Sequence, residues 1–315
     1  MGGSCRYDIA TLLIAGSIEA FLSAINLSVT DHDRNSAALR YVYPVVSRRA
    51  GGISVGINLN PNNACNWRCI YCQVPDLTRG SAPPIDLALL ENELRGFLNE
   101  LLHGNFMQNR VPEGMRRIND IALSGNGEPT SAAEFAQVIE LIGRVRSETG
   151  LPGAVKTVLI TNGSLLYRSE VQQGLRAMAQ LNGEVWFKLD RASETGMRLI
   201  NDTSIRMSKV RDHLIAAIAL CPTWLQTCWF ALDGKPPSRQ DEDDYLEFIS
   251  ALLRDGYKPQ GVMLYDLARP SLQAEAPRLS NLPLENLQAF AGRIGKLGLP
   301  VTVSSQEIAH TDDNY

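Results

Sequence analysis

Short β-branched runs and helical apolar stripes alternate along this chain from residue 53 almost to its end. Ile53–Leu59 (ISVGINL) predicts a strand, which Asn60-Pro61-Asn62-Asn63 terminates. Leu87, Leu90, Leu94, Phe97 and Leu101 recur at the spacing of one helix face. Ile121–Leu123 predicts the next strand, followed by the turn Ser124-Gly125-Asn126-Gly127-Glu128-Pro129-Thr130. Ser131 and Glu134 then have the spacing of a capping box, opening a helix with Phe135, Val138, Ile139, Ile142 and Val145 on one side. The unit recurs. Strands are expected at Val155–Ile160, Val185–Asp190, near Leu225–Leu232, at Gly261–Leu267 and at Val301–Val303. Helices are expected at Glu170–Gln180, around Leu214–Leu220, near Tyr245–Leu253 and from Leu284 to Leu297, with the acidic run Asp241–Asp244 as a solvated helix start.

Such alternation, without a low-complexity linker, implies one α/β domain on a parallel sheet, either open or curled into a barrel. The residues before it read differently. Ile9–Leu27 is apolar-rich, but its uncharged part, Ile9–Ile18, is far shorter than the ~20 residues of a membrane span. Arg6 alone would have to serve as the basic region of a signal peptide, and position six lacks the Ser or Thr of a myristoylation site. An amphipathic helix is expected there instead. Residues 1–50 are thus expected to be an N-terminal extension able to act as a lid, and 51–315 the βα domain, in a cytoplasmic protein without a membrane segment.

With 44% hydrophobic and 20% charged residues, 315 residues suffice for one large core. The net charge of −4 gives no general attraction to nucleic acid or anionic membranes. Six cysteines are too sparse for a disulfide scaffold, yet three lie together in Cys65-Asn-Trp-Arg-Cys69-Ile-Tyr71-Cys72. Three thiolates spaced C-x₃-C-x₂-C can hold three irons of a four-iron cluster and leave the fourth open. A zinc knuckle with a remote fourth ligand and three unrelated buried thiols are the alternatives. Cys5, Cys221 and Cys228 match no second cluster signature, and His32, His103, His213 and His310 have no metal spacing.

In βα folds, ligand-binding groups gather where strands end. The cysteine loop follows the first strand here, Gly127-Glu128 the second and Thr161-Asn162-Gly163 the third. Lys188 and Asp190 close the fourth and Arg269 follows the sixth, so all would converge on one end of the sheet. Each has a plainer alternative. Glu128 can be a solvated turn residue, Tyr71 a core aromatic, Thr161-Asn162 an Asx-type turn and Arg269 a surface cation. Lys188 and Asp190 alternate, so they share a side with Trp186; that side is expected to be the interior.

The cysteine triplet with Tyr71 before its last cysteine resembles the signature of radical S-adenosylmethionine (SAM) enzymes, and Gly-Asn126-Gly-Glu-Pro resembles their Gly-Gly-Glu-Pro motif. Order and strand context agree over roughly residues 53 to 305, with Asn126 departing where the family often has glycine. The resemblance implies a partial (β/α)6 TIM-like barrel, a [4Fe-4S] cluster on Cys65, Cys69 and Cys72, and SAM chelated to the open iron. SAM would be cleaved reductively to a 5′-deoxyadenosyl radical that abstracts hydrogen from a substrate, with an electron donor such as flavodoxin or ferredoxin. It further implies that Gly125, Asn126 and Gly127 bring backbone close to SAM, that Glu128 accepts from the SAM ammonium, that Tyr71 borders the cluster or adenine, and that Thr161 and Asn162 bind ribose or the methionyl carboxylate. Lys188, Asp190 and Arg269 are the candidates for substrate chemistry.

Three functions stay open. The first is an enzyme for a small metabolite or natural-product precursor. The second is a wyosine-like tRNA-modifying or glycyl-radical-activating enzyme, with Arg48, Arg49, Arg110, Arg116 and Arg117 as an RNA patch. The third is a non-catalytic iron–sulfur or zinc protein.

Overall fold

A computed structural model describes residues 39–47 and 51–305. The helix expected within Ile9–Leu27, and Cys5, His32, Arg48, Arg49 and His310, lie outside the described residues.

The main sheet has eight strands in spatial order β1 (Val42–Ser47), β2 (Gly52–Ile57), β3 (Ile118–Leu123), β4 (Lys156–Thr161), β5 (Gly183–Lys188), β6 (Thr223–Cys228), β7 (Gly261–Tyr265) and β8 (Val301–Ser304). From β2 to β8 all neighbours are parallel, while β1 lies antiparallel to β2 at one edge. The expected strands are therefore present, as seven parallel strands of an α/β partial barrel with β1 and β8 at its two edges. The antiparallel β1 was not expected. It draws the last part of the 1–50 stretch into the sheet.

Crossovers run through α1 (Leu87–His103) with the short α2 (Phe106–Arg110), α3 (Phe135–Glu148), α4 (Ser169–Ala179), α5 (Glu194–Asn201) with α6 (Met207–Leu220), α7 (Arg239–Arg254) and α8 (Leu284–Gly295). Helix starts follow local chemistry. Asp86 caps α1 by accepting from Leu89 N, and Ser238 with Asp241 forms a full capping box on α7. The box expected at Ser131 and Glu134 does not form. Ser131 Oγ is drawn into the interior, where it accepts from Ala82 N at 2.9 Å and Asn60 Nδ2 at 3.3 Å, and α3 starts only at Phe135. Nor is the acidic run simply solvated, since Glu242 and Asp243 both pair with Arg293.

Strand alternation divides the side chains. Val185 and Phe187, Leu225, Val262 and Leu264 point at the helices and build the main core with Leu94, Phe97, Phe135, Ile139 and Leu175. The opposite face lines the inside of the arc. Register puts Trp186 beside Trp224, Lys188 beside Gln226 and Cys228 beside Tyr265 on that inner face. Lys188 is thereby interior, as expected, with Trp186 on its side.

One polar residue interrupts the apolar face of α1. The Glu93 carboxylate is buried and accepts from Arg40 N (2.8 Å), Tyr41 N (2.8 Å) and Val42 N (3.2 Å), fastening the start of β1.

Candidate active site

The three cysteines occupy the loop at the C-terminal end of β2, and the attachments around Cys69 and Cys72 reach elements far along the chain. Arg68 N donates to Asn201 O (3.2 Å) and Ile70 N to Ile200 O (2.9 Å), so the last carbonyls of α5, which its own helix cannot satisfy, hold the segment around Cys69. Ser271 Oγ donates to Ile70 O (2.8 Å) and Leu272 N to Cys72 O (2.9 Å). On the outer side Arg68 bridges Asp202 and Glu275, and Arg79 also pairs with Asp202. These ties line a cleft of about 570 Å³ with Arg68, Ile70, Arg198 and Glu275 on its walls.

The loop after β3 packs directly on this arm. Gly125 has φ +144°, and a Cβ there would collide with Asn58. At Gly127 it would collide with the Ala64 carbonyl. Both glycines thus permit backbone-to-backbone approach, with the cysteine arm as the neighbour. Asn126 adds two bonds to the same arm, from its N to Asn58 Oδ1 (3.0 Å) and from Nδ2 to Asn63 Oδ1 (2.6 Å). An asparagine where glycine was expected is a clamp here.

Glu128 is buried with both oxygens engaged. Oε1 accepts from Thr130 N (3.1 Å), Thr130 Oγ1 (2.6 Å) and Thr161 Oγ1 (2.6 Å), and Oε2 from Asn162 N (2.7 Å). Four donors fill the usual capacity of a carboxylate. Burial nevertheless raises its pKa, with the Thr130, Thr161 and Asn162 donors opposing. Glu128 is accordingly no solvated turn residue; it joins the loops after β3 and β4. Asn162 extends the join: its Nδ2 donates to Asn66 Oδ1 (2.8 Å), and its Oδ1 accepts from Ser164 N and Oγ.

Inside the arc, Tyr71 OH donates to Asp190 Oδ2 (2.5 Å), and its ring meets Phe230 edge-on. Asp190 also accepts from Asn201 Nδ2 (2.6 Å) and, through Oδ1, from Cys228 N (2.9 Å). Lys188 Nζ lies 4.9 Å from the Tyr71 ring centroid and 3.2 Å from Tyr265 OH. Burial opposes its charge, but Tyr265, Asp190, Cys69 and Cys228 outweigh that and hold its pKa well above the ordinary lysine value. Tyr71 is held protonated by burial and by Asp190. Lys188 and Asp190 therefore share the interior without forming an ion pair; each has its own hydrogen-bond partners. Arg269 stands apart on the half-buried segment after β7, where its carbonyl accepts from Gln73 Nε2.

The sequence signalled neither Asn201 nor Tyr265, and did not connect Cys228 with this site. Cys228 lies in a small apolar cluster with Ile70, Ile200 and Phe230 beneath the cysteine loop, whereas Cys221 belongs to the main core. That separation removes the basis for pairing them in a second cluster.

The donor set suits an iron–sulfur cluster. Three free thiols of one loop are partly accessible, and Cys72 is electrostatically coupled to both Cys65 and Cys69. Burial pushes Cys65 up to about 11 and Cys69 up to about 12; binding a metal would require both to lose their protons. Among the described residues no three His, Cys, Asp or Glu side chains converge on a single metal ion. A cubane instead places each cysteine on its own iron.

The fold is that of the radical SAM enzymes. A radical SAM methyltransferase from Sphaerobacter thermophilus superposes with TM-score 0.55 at 12% identity, over 84% of this chain and 69% of that one. The structure of TYW1 with a lysine-pyruvate adduct bound superposes with TM-score 0.51 at 14% identity, over 77% and 73%. At these identities the likeness carries the fold alone. The chain itself belongs to the UPF0026 family, being 30% identical over 256 residues to the UPF0026 protein of Helicobacter pylori, 78% of this chain and 72% of that protein. It is also 28% identical over 255 residues to a Brachyspira hyodysenteriae protein named GTPase Obg, of which it spans only 32%. No protein-family model matches the chain. Among the described residues, no helix is long and apolar enough to cross a membrane.

Proposed function

We propose that the chain is a cytoplasmic radical SAM enzyme acting on a small metabolite or natural-product precursor. The observation that carries this is the seating of Cys65, Cys69 and Cys72 at the C-terminal end of the sheet, against an inner face that presents Lys188 and Tyr265. Cys65, Cys69 and Cys72 would hold a [4Fe-4S] cluster. With SAM bound, that group supplies reductive cleavage of the sulfonium and a 5′-deoxyadenosyl radical that takes hydrogen from the substrate. The chain's own residues supply position and exclusion of water. Glu128 and Asn162 lock the loops after β3 and β4 onto the cysteine arm, and Gly125, Asn126 and Gly127 set the backbone beside it. Tyr71 closes the inner side of the same site, and Thr161 secures Glu128 in the join. Lys188, kept charged and flanked by the Tyr265 hydroxyl, suits an acidic group on the substrate, with Arg269 at the rim and Asp190 fixing Tyr71. An electron donor such as flavodoxin or ferredoxin would approach from the outer cleft beside Arg68.

Among the described residues, Arg116 adds no support to the RNA reading. Arg116 donates to the carbonyls of Val111 and Gln108, and it precedes β3, at the end of the sheet opposite the cysteines. Anaerobic reconstitution, then reduction in the presence of SAM, tests the proposal. Bound iron and sulfide with release of 5′-deoxyadenosine are expected, and both should vanish in Cys69→Ala. A reconstituted protein that takes zinc, or that leaves SAM intact, would refute it.

A further inference from the structure

Asn201 ends α5 with no accessible surface. Its backbone carbonyl accepts from Arg68 N, and its side-chain Nδ2 lies 3.2 Å from Cys69 Sγ and 2.6 Å from Asp190 Oδ2. The two hydrogens of the amide are thus spoken for, one by a carboxylate and one by a sulfur. Its Oδ1 is buried without a partner among the described residues. An amide can in principle be turned over, but here that would set Oδ1 against the Asp190 carboxylate. Asp190 is itself fixed by Tyr71 OH and Cys228 N, so it dictates which atom of Asn201 faces the sulfur.

We propose that Asn201 is a positioning residue that holds the Cys69 sulfur by an N–H···S bond and raises the reduction potential of the cluster bound there. The proposal rests on the cysteine loop holding a cluster. Reduction adds negative charge that spreads onto the ligand sulfurs, so a donor aimed at one of them favours the reduced state. Lys188, within electrostatic reach of Cys69, acts in the same direction, and Asp190 opposes it. Asn201 is the group in direct contact, and its orientation is set by the opposing carboxylate. The cluster potential is thereby tied to the interior network through Asp190 and Tyr71.

The test is an EPR-monitored redox titration of the reconstituted protein and of Asn201→Leu, which keeps similar bulk and removes the donor. The variant should bind iron and sulfide as the parent does, but with its reduction equilibrium lowered roughly tenfold, ~59 mV for one electron. A loaded variant with an unmoved potential would overturn the proposal. Should the variant not fold, pulsed EPR of the parent labelled with [¹⁵N]asparagine decides the matter. A side-chain nitrogen coupled to the reduced cluster through an exchangeable proton is expected, and its absence refutes the bond. A parent that takes up no cluster would overturn the assignment of the cysteine loop and this proposal with it, a result distinct from either of the others.

Discussion

Glu93→Ala should release β1 while leaving the rest of the sheet intact. The carboxylate receives three backbone N–H groups, two of which belong to the buried Tyr41 and Val42. Alanine leaves both without an acceptor, whereas the donor of the exposed Arg40 can turn to water. At ~1–3 kcal/mol for each stranded donor, and with water partly reaching the vacated space, the loss is about 2–4 kcal/mol. It falls locally, because β1 is an edge strand held by β2 on one side and by this carboxylate. Native-state hydrogen exchange should therefore show the β1 amides losing protection by roughly 30- to 700-fold, at ~1.4 kcal/mol per tenfold, with those of α3 and β4 unchanged. Glu93→Gln keeps one accepting oxygen and should lose about half as much free energy. Undiminished protection of β1 in the alanine variant would show that the strand is held by its sheet pairing alone, and the reasoning would fail.

Gly127→Ala should displace the cysteine arm, since its Cβ would meet the Ala64 carbonyl; about 1–3 kcal/mol of stability and part of the iron occupancy should be lost, read by urea melts and iron assay. Lys188→Met should cost about 1–3 kcal/mol, because the Tyr265 hydroxyl loses a hydrogen-bond partner and the buried Asp190 a nearby cation, and should abolish substrate-stimulated SAM cleavage; full retention of that stimulation would remove Lys188 from the substrate site. The Asp120 carboxyl is raised by burial, and Ser54 and Lys156 do not fully offset this. The unfolded chain releases that proton first, so its contribution is present below the ordinary aspartate pKa of ~3.9 and lost as pH rises through the raised folded value. Asp120→Asn should accordingly flatten the decline of stability with pH over that interval, as followed by denaturant titration at several pH values.

The parallel strands were legible because each is a compact run rich in apolar, aromatic or β-branched residues, and each strand of the arc stands within a few residues of its expected place. What escaped depends on partners distant in sequence. β1 is defined by Glu93, some fifty residues later, and its own residues show no clear alternation. α5 has only eight residues with Met197 and Ile200 as its apolar face, too short for a periodic signal. The Ser131 box failed because Asn60 and Ala82 compete for the hydroxyl. The cysteines, Glu128 and Lys188 announced themselves by residue type at strand ends. Asn201, by contrast, is an amide at a helix end, and only the fold brings it to Cys69.

The tethering of the cysteine loop sets this protein apart from small metal-dependent modules. In a zinc finger the metal is the core, and removing it unfolds the chain. Here the loop is bound to α5, to Ser271 and Leu272, and to Asn162 by protein hydrogen bonds, above a core in which the three cysteines take no part. The loop is thus held by protein contacts of its own. If the loop holds a cluster as proposed, its removal should leave the described fold standing, which circular dichroism before and after chelation would check.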